Sequence, residues 1–262
     1  YEEYNPKFEY FAGVDSTEVD ITTTSESLFS ISIYRRGYTE YDKTTGKTKT
    51  VKGKVICNWS GRFDSSDETF EHGLLVLEYF KAKAACERNK PGFINHVRRN
   101  GKSHLLAKRN ELPFDKDIDV TAGENDQYGV FRDSSGKLLR DLISRYKEHL
   151  NAEVSVIYID KPDSEDIGKI KKIIRGYDEV EDYWTLEEIR YYNKDDNFDR
   201  VDADMLAIAY GIAEELSFQK KVEIESKKKE EDNHYKKQPT NKKKTNLLYY
   251  SSGSKGRNLL NY

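Results

Sequence analysis

The chain of 262 residues carries a formal net charge of −3, and 36% of its residues are hydrophobic while 35% are charged. This composition is polar for a globular protein but still supplies the apolar side chains of a core. No apolar run approaches the roughly 20 residues that a membrane-spanning helix needs, so the sequence contains no candidate span.

The charge is unevenly distributed along the chain. From Asp232 onwards, seven lysines and arginines stand against one acidic residue, a net charge of +6, so the preceding 231 residues carry −9. An acidic body with a basic tail does not fit a protein that simply coats DNA. Such a body can still act on nucleic acid if bound divalent cations hold some of its carboxylates together. The pattern predicts one domain over 1–220 and a basic, flexible tail over 221–262.

Strand and helix patterns alternate in the first half of the chain. We predict strands over 8–16, 28–36, 83–87 and 103–109, a hairpin over 38–60 that turns at Thr45-Gly46, and helices over 68–80 and 91–101. A proline near the start of the last segment and a glycine past its end favour the short helix.

The second half continues the alternation. An irregular acidic stretch over 110–128 precedes predicted helices over 134–150, 185–192 and 199–216 and a strand over 154–160. Thr185 and Glu188 form a capping-box pattern at the start of the second of these helices. Together, the elements predict an α/β fold, a mixed sheet flanked by helices.

The cysteines and the chain start give further expectations. Cys57 and Cys86 are the only cysteines, and without a CxxC pattern they are expected to be reduced thiols packed in a core. The start "YEEYNPKFEY" has neither a basic nor an apolar signal region, so no secretory signal is expected. It also lacks an initiator methionine, which indicates a processed chain or a piece of a longer protein.

Three carboxylates could meet at one edge of the predicted sheet. Asp15 ends the first strand, Glu87 ends a later strand, and Asp202 lies in the first turn of the last strong helix. Taken singly, each is more often a solvated strand end or a helix cap. Gathered together they would repel one another unless a divalent cation neutralised them. An oxygen-rich set of this kind suits Mg²⁺ or Mn²⁺, and two such ions can support phosphodiester hydrolysis.

Three motifs carry a resemblance to a known family. "YFAGVDS", "ACERNKPGF" and "FDRVDADMLAIAYG" together resemble, in this order, the C-terminal nuclease domain of the large terminase subunit of tailed bacteriophages. Asp15, Glu87 and Asp202 match the family's three acidic positions, which implies that they are catalytic. Asp199 matches the earlier acidic or histidine position of the last motif, which makes it a candidate accessory ligand. The last motif departs from the common paired-aspartate form, so Asp204 remains an alternative accessory ligand.

The resemblance covers about residues 10–216 and implies an RNase H-like fold. It implies a Mg²⁺- or Mn²⁺-dependent endonuclease, with two ions bound, that cuts concatemeric double-stranded viral DNA during genome packaging. The implied partners are an ATPase motor domain of the same polypeptide, the portal and the small terminase subunit, in the host cytoplasm. No GxxxxGK[ST] motif is present, since Tyr41 precedes "GKT" at 46–48 where the first glycine should stand. We therefore expect the nuclease domain without its motor.

Basic residues near the acidic positions could contact DNA phosphates. Those predicted to do so are Arg88, Arg98, Arg99 and Lys102 after Glu87, and Lys47 and Lys49 in the hairpin. The plain alternative is a set of solvated surfaces.

Other functions remain open from the sequence. The same fold could be a non-catalytic module that docks on the portal or on DNA, or a resolvase-like nuclease that acts on branched DNA. A histidine-based metal site from His96 and His104 would need a ββα frame, which the predicted helix over 91–101 opposes.

Overall fold

The computed structural model describes residues 2–17, 27–43, 46–112, 127–130, 136–158, 165, 167–193 and 198–237. Most of the predicted irregular stretch over 110–128, and the predicted tail beyond 237, lie outside the described residues. The chain divides into a large compact unit, Tyr1–Gln219, and a second unit, Lys220–Tyr262.

The described elements alternate as the sequence predicts. The strands are β1 (Tyr10–Asp15), β2 (Phe29–Arg35), β3 (Tyr38–Asp42), β4 (Lys47–Val51), β5 (Lys54–Gly61), β6 (Lys83–Cys86), β7 (Glu153–Tyr158) and β8 (Ile170–Arg175). The α-helices are α1 (Ser66–Phe80), α2 (Gly92–Arg99), α3 (Lys137–Asn151), α4 (Tyr183–Tyr191) and α5 (Asp199–Lys237).

The central sheet has four strands in the order β5-β2-β1-β6. β2 is antiparallel to both of its neighbours, whereas β1 and β6 are parallel. The strands β3 and β4 form a separate hairpin, and so do β7 and β8. The predicted mixed α/β sheet is therefore confirmed.

Helices cover both faces of this sheet, so every residue of β1 and β2 is buried. Successive side chains of a strand point to opposite faces. Tyr10, Ala12 and Val14 accordingly pack with α1 and α2. Phe11 packs with α3 and α5 on the other face. A strand buried on both faces reads as a continuous apolar run, which is why "FEYFAGV" was recognisable in the sequence.

Helix α5 lies directly against β1 at Gly13. A Cβ atom at this position would stand 2.1 Å from the carbonyl oxygen of Ala203 and 2.3 Å from the amide nitrogen of Ala207. Further along, the rings of Phe11 and Tyr210 meet with their centroids 5.1 Å apart. The helix therefore runs back along β1, and its first turn lies over the strand's C-terminal end.

Three boundaries differ from the sequence prediction. The expected strand over 103–109 begins as a 3-10 turn, Ser103–Leu105, and continues only as two isolated bridges, from Leu106 to Ala84 and from Lys108 to Tyr128. The expected hairpin over 38–60 ends at Val51, and the next strand, β5, pairs with β2 instead. Helix α5 continues to Lys237, so the segment expected as a tail from residue 221 begins as helix.

Two local features were missed or misplaced. The strand β8 was not predicted, although its segment "IKKIIR" is rich in isoleucine. The N-cap of α4 is Asp182, whose carboxylate accepts hydrogen bonds from the backbone and hydroxyl of Thr185. The capping box predicted from Thr185 to Glu188 is wrong, because Thr185 already lies inside the helix.

Replacing Gly13 tests the close approach of α5. Gly13→Ala should lower the free energy of unfolding by about 3 kcal/mol, because the new methyl group meets backbone atoms that cannot rotate away. Chemical unfolding of the purified variant measures the loss. Gly101→Ala is the control: its φ is +69° and no atom lies within 4 Å of the added Cβ, so only about 1–2 kcal/mol of left-handed strain is expected. A loss for Gly13→Ala no larger than that of the control would contradict the packing.

The lowered pKa of His149 leads us to expect that the fold loses stability in acid. Burial, helped by the charge of Lys52, lowers the pKa of this imidazole from 6.5 to about 4. Between these values the unfolded chain binds more protons than the folded one, so stability falls as the pH falls from about 6.5 to 4. His149 should account for about 3 kcal/mol of that fall.

Urea unfolding across this pH range measures the contribution of His149. His149→Gln should flatten the pH dependence, whereas the same change at the exposed His104 should leave it as in the parent chain. Identical pH profiles for the His149 variant and the parent would show that the buried imidazole does not carry the effect.

Candidate functional site

Asp15 and Glu87 stand side by side where two parallel strands end. The last paired residues of β1 and β6 are Val14 and Cys86, and the amide of Glu87 donates to the carbonyl of Val14 over 3.2 Å. Strand alternation puts both side chains on the face that α5 covers, one strand spacing of about 4.8 Å apart. Both are buried, with 1% of Asp15 and 5% of Glu87 exposed. This adjacency, expected from the sequence only as a possibility, is present.

Helix α5 brings two more carboxylates to the same place. Asp199 and Asp202 lie in its first turn, and both are buried. Because α5 runs back along β1 from Gly13, this turn lies at the end of the strand where Asp15 stands. Both aspartates act electrostatically on Asp15, which places them in one cluster with it and Glu87.

Asp199 has a clear structural task within this cluster. One of its carboxylate oxygens accepts the amide of Leu28 over 2.7 Å, and the other accepts the hydroxyl of Ser27 over 3.2 Å. The start of α5 is thereby tied to the segment that leads into β2. The residue that the resemblance offered as a metal ligand also anchors the two residues that lead into β2.

Glu188, to which the sequence assigned no role at the site, fixes the start of α5 from outside. Its carboxylate accepts the backbone amides of Arg200 and Val201 over 3.0 and 3.2 Å and pairs with the Arg200 guanidinium over 2.6 Å. The first amides of a helix have no partner within the helix, so an anion there stabilises it. Glu188 thus holds the turn that carries Asp202 in place.

A lysine enters the acidic cluster from the loop after Glu87. The ammonium group of Lys90 donates to Oδ1 of Asp15 over 3.1 Å. The other oxygen, Oδ2, is buried and accepts no hydrogen bond from the described residues. No role for Lys90 was predicted from the sequence, although "ERNKPG" contains this basic residue three positions after Glu87.

The electrostatics of the cluster disfavour the ionised form of Asp15. Burial raises the pKa of Asp15 well above its usual range, and the carboxylates of Glu87, Asp199 and Asp202 add to this although Lys90 opposes it. Burial alone would lower the pKa of Lys90, but its acidic neighbours outweigh burial and raise it. A site in which one buried carboxyl resists ionisation is one that gains from an additional cation.

Asp204 belongs to a different environment. Its carboxylate accepts the amide of Asn58 over 2.6 Å and the hydroxyl of Tyr146 over 3.3 Å. Burial raises its pKa to about 6, against the opposing effect of hydrogen bonds from Ser32 and Asn58. Two residues after Asp202, it points about 200° around the helix and lines a polar cavity of about 400 Å³ beside β5. The structure does not bring Asp204 to Asp15.

A row of polar side chains extends from the carboxylates along the edge of the sheet. Asp15 pairs with Ser30 in the neighbouring strand, and Ser30 pairs with Ser60 in the strand beyond. The two serine hydroxyls are 2.8 Å apart. Along this edge the residues stand in the order Glu87, Asp15, Ser30 and Ser60, so the acidic groups lie at one end and the hydroxyls at the other.

The predicted DNA-contacting residues lie on several surfaces. Arg98 and Arg99 line an open groove between α1 and α2, where Arg99 also pairs with Asp67 over 3.1 Å. Lys102 pairs with Glu78. The backbone of Arg88 donates to Val130 over 2.8 Å, and Lys47 and Lys49 are exposed on β4. Their contacts with DNA stay a prediction.

The two histidines and two cysteines have other surroundings. His96 packs between α1 and α2, where its ring contacts the carboxylates of Asp67 and Glu71 over 3.4 and 3.1 Å. His104 lies in the 3-10 turn that follows α2. Cys57 and Cys86 are free thiols, the first partly and the second fully buried.

The donor chemistry of the cluster fits a hard divalent cation. Within the part of the chain that the structure describes, no three His, Cys, Asp or Glu side chains already stand at the spacing of a metal site. The carboxylates nevertheless supply the oxygen ligands that Mg²⁺ and Mn²⁺ prefer. The buried Oδ2 of Asp15 is an acceptor that a cation could satisfy, and an ammonium group already lies at Oδ1.

The chain matches no protein-family model, no curated protein and no solved structure. Over the described residues, no helix is both long and apolar enough to cross a membrane. The function proposed below therefore rests on the geometry of the acidic cluster and on the motifs of the sequence.

Replacing Asp202 and replacing Asp204 by alanine should lower the free energy of unfolding by different amounts. Asp204→Ala should lower the free energy of unfolding by about 3 kcal/mol, because it removes the acceptor of the buried Tyr146 hydroxyl and one of the acceptors of the Asn58 amide. Asp202→Ala should cost at most about 1 kcal/mol, since it also removes a carboxylate that repels Asp15. Urea unfolding at neutral pH without divalent cations measures both. Equal losses of stability for the two variants would refute the assignment of Asp204 to the core and of Asp202 to the acidic cluster.

Proposed function

We propose that this chain is a Mg²⁺- or Mn²⁺-dependent endonuclease with an RNase H-like fold. The observation that carries the proposal is the buried cluster in which Asp15 and Glu87 lie on adjacent parallel strands beneath Asp199 and Asp202. A protein gains no stability from burying four carboxylates together, so their convergence is best explained by a cation that binds among them.

The strand order supports the fold proposed for the enzyme. Three antiparallel strands, β5, β2 and β1, are followed by β6, which is parallel to β1. Helix α5 lies against β1. This arrangement agrees with the RNase H-like architecture that the motif resemblance implies. It also explains how motifs separated by about 70 and 115 residues in "YFAGVDS", "ACERNKPGF" and "FDRVDADMLAIAYG" come to one edge of the sheet.

The chain's own groups have distinct tasks in this proposal. Asp15, Glu87 and Asp202 hold the cations, with Asp199 as the accessory ligand and the anchor of the two residues that lead into β2. Bound Mg²⁺ or Mn²⁺ supplies activation of a water molecule and charge stabilisation at the leaving oxygen of a phosphodiester. The packed face beneath α5 keeps the carboxylates in a low-dielectric environment, where their interaction with a cation is stronger than in water.

The substrate that we propose is double-stranded DNA. Exposed basic side chains, including Arg98 and Arg99 in the groove between α1 and α2, suit phosphate contacts, which carry no sequence information. Cleavage should therefore show little sequence preference. By the motif resemblance, the natural substrate is concatemeric viral DNA in the host cytoplasm, cut during genome packaging. The proposed partners are an ATPase motor of the same polypeptide, the portal and the small terminase subunit.

Plasmid cleavage tests the proposal directly. The purified chain should nick and linearise supercoiled plasmid in Mn²⁺ or Mg²⁺ and not in EDTA. Glu87→Ala should lower the rate by at least about a hundredfold, because losing a metal ligand costs more than losing one of its supporting partners. Glu71→Gln is the matched control: it removes an exposed acidic charge on α1, outside the cluster, and should cleave like the parent.

The alternatives predict different results in the same assay. Equal cleavage by the parent and Glu87→Ala would assign the activity to another site or to a contaminant. A clear preference for four-way junctions over linear duplex would indicate a resolvase-like nuclease. Absence of cleavage from a folded chain that still retards DNA in a gel would favour a non-catalytic docking module.

A further inference from the structure

Lys90 is held in the acidic cluster by the geometry of its loop. The loop is short, running from the end of β6 to the start of α2 at Gly92. Its second residue is pinned, because the amide of Arg88 donates to the carbonyl of Val130 over 2.8 Å. From this loop the side chain of Lys90 reaches inwards, with 25% of it exposed, to a carboxylate that is 1% exposed.

We propose that Lys90 is the resident counter-cation of the metal-free site, and that a divalent cation displaces its ammonium group from Asp15 when it binds. This inference rests on the proposed function, since it concerns the same acidic cluster. It assigns to a lysine outside the acidic set the task of setting how tightly that set binds metal.

The charge balance of the cluster gives the first argument. Four carboxylates converge, and the ammonium group of Lys90 lies 3.1 Å from one of them. Removing one partner of a buried charge pair strongly destabilises a protein, so the metal-free fold depends on this pair. A divalent cation carries twice the charge of an ammonium group and attracts the carboxylate of Asp15 more strongly, which favours the divalent ion in its place.

The geometry of the pair gives the second argument. The ammonium group engages only Oδ1 of Asp15, and the buried Oδ2 accepts no hydrogen bond from the described residues. A cation bound to Asp15 would lie within a few ångströms of the ammonium group, where like charges repel strongly. Since the lysine stem is flexible and partly exposed, the ammonium group can move out to solvent and relieve this repulsion.

A second lysine shows what an ordinary ion pair of this protein looks like. Lys83 lies at the other end of β6 and contacts both oxygens of Glu111, each over 3.0 Å. Its side chain is 42% exposed and that of Glu111 is 30% exposed. Lys83 therefore offers a matched control: the same residue type, paired with an acidic residue, but at the opposite end of β6 from the cluster.

Titration with Mn²⁺ at fixed ionic strength tests the displacement. Isothermal titration calorimetry compares the parent chain, Lys90→Gln and Lys83→Gln, with Asp15→Asn as a variant that loses a proposed ligand. Lys90→Gln should bind Mn²⁺ roughly tenfold more tightly, the change that about 1.4 kcal/mol of removed repulsion gives. Lys83→Gln should bind like the parent, and Asp15→Asn should bind more weakly. Unchanged or weaker binding by Lys90→Gln overturns the inference.

Thermal unfolding provides a second readout that does not depend on calorimetric heats. In EDTA, Lys90→Gln should melt below the parent, because Asp15 has lost its counter-charge. Adding Mn²⁺ should raise its melting temperature by more than it raises that of the parent, since tighter binding to the folded state gives greater stabilisation. A rise equal to that of the parent or of Lys83→Gln would contradict the proposal.

The outcomes separate this inference from the proposed function. If the parent chain cleaves plasmid in a metal-dependent way but Lys90→Gln binds Mn²⁺ with unchanged affinity, the nuclease function is supported and the role of Lys90 is rejected. Binding of Mn²⁺ by Lys90→Gln but not by the parent would support the displacement even if no substrate were cut. Failure of both proteins to bind Mn²⁺ would overturn the inference, while plasmid cleavage would then decide the function independently.

Discussion

The contact between the backbone of α5 and β1 at Gly13 is the constraint on which the site depends. With no side chain at this position, the helix lies so close to the strand that even a methyl group would overlap its backbone. That approach fixes where the first turn of α5 falls along the strand. It therefore decides that Asp202 lies over the end of β1, beside Asp15, and not one turn away from it.

The cluster that results is electrostatically unfavourable by itself, and the surrounding residues compensate for it. Lys90 supplies a positive charge to Asp15, and Glu188 holds the start of α5 from outside. Asp199 uses its charge to accept hydrogen bonds from the segment that leads into β2. The fold thus maintains a region of like charges by fixing the elements around it, an arrangement typical of functional sites.

Asp202 and Asp204 show how the helical period divides neighbouring residues of one type between tasks. At 100° per residue, two positions along α5 turn the side chain to the far side of the helix. Asp202 therefore joins the cluster at the sheet edge, while Asp204 binds Asn58 and Tyr146 inside the core. The motif "DRVDAD" contains both residues without showing which of them faces the site.

The sequence by itself determined β1, β2, β6, α1, α2 and the start of α5, because burial imposes an apolar period on a segment whatever its partners are. It also indicated Asp15 and Glu87, whose positions at strand ends are local properties. Only the tertiary structure decided that residues 103–105 form a turn, that Asp204 is a core residue and that Lys90 enters the cluster. Each of these depends on which groups meet across the fold, and packing between distant segments leaves no regular period in the chain.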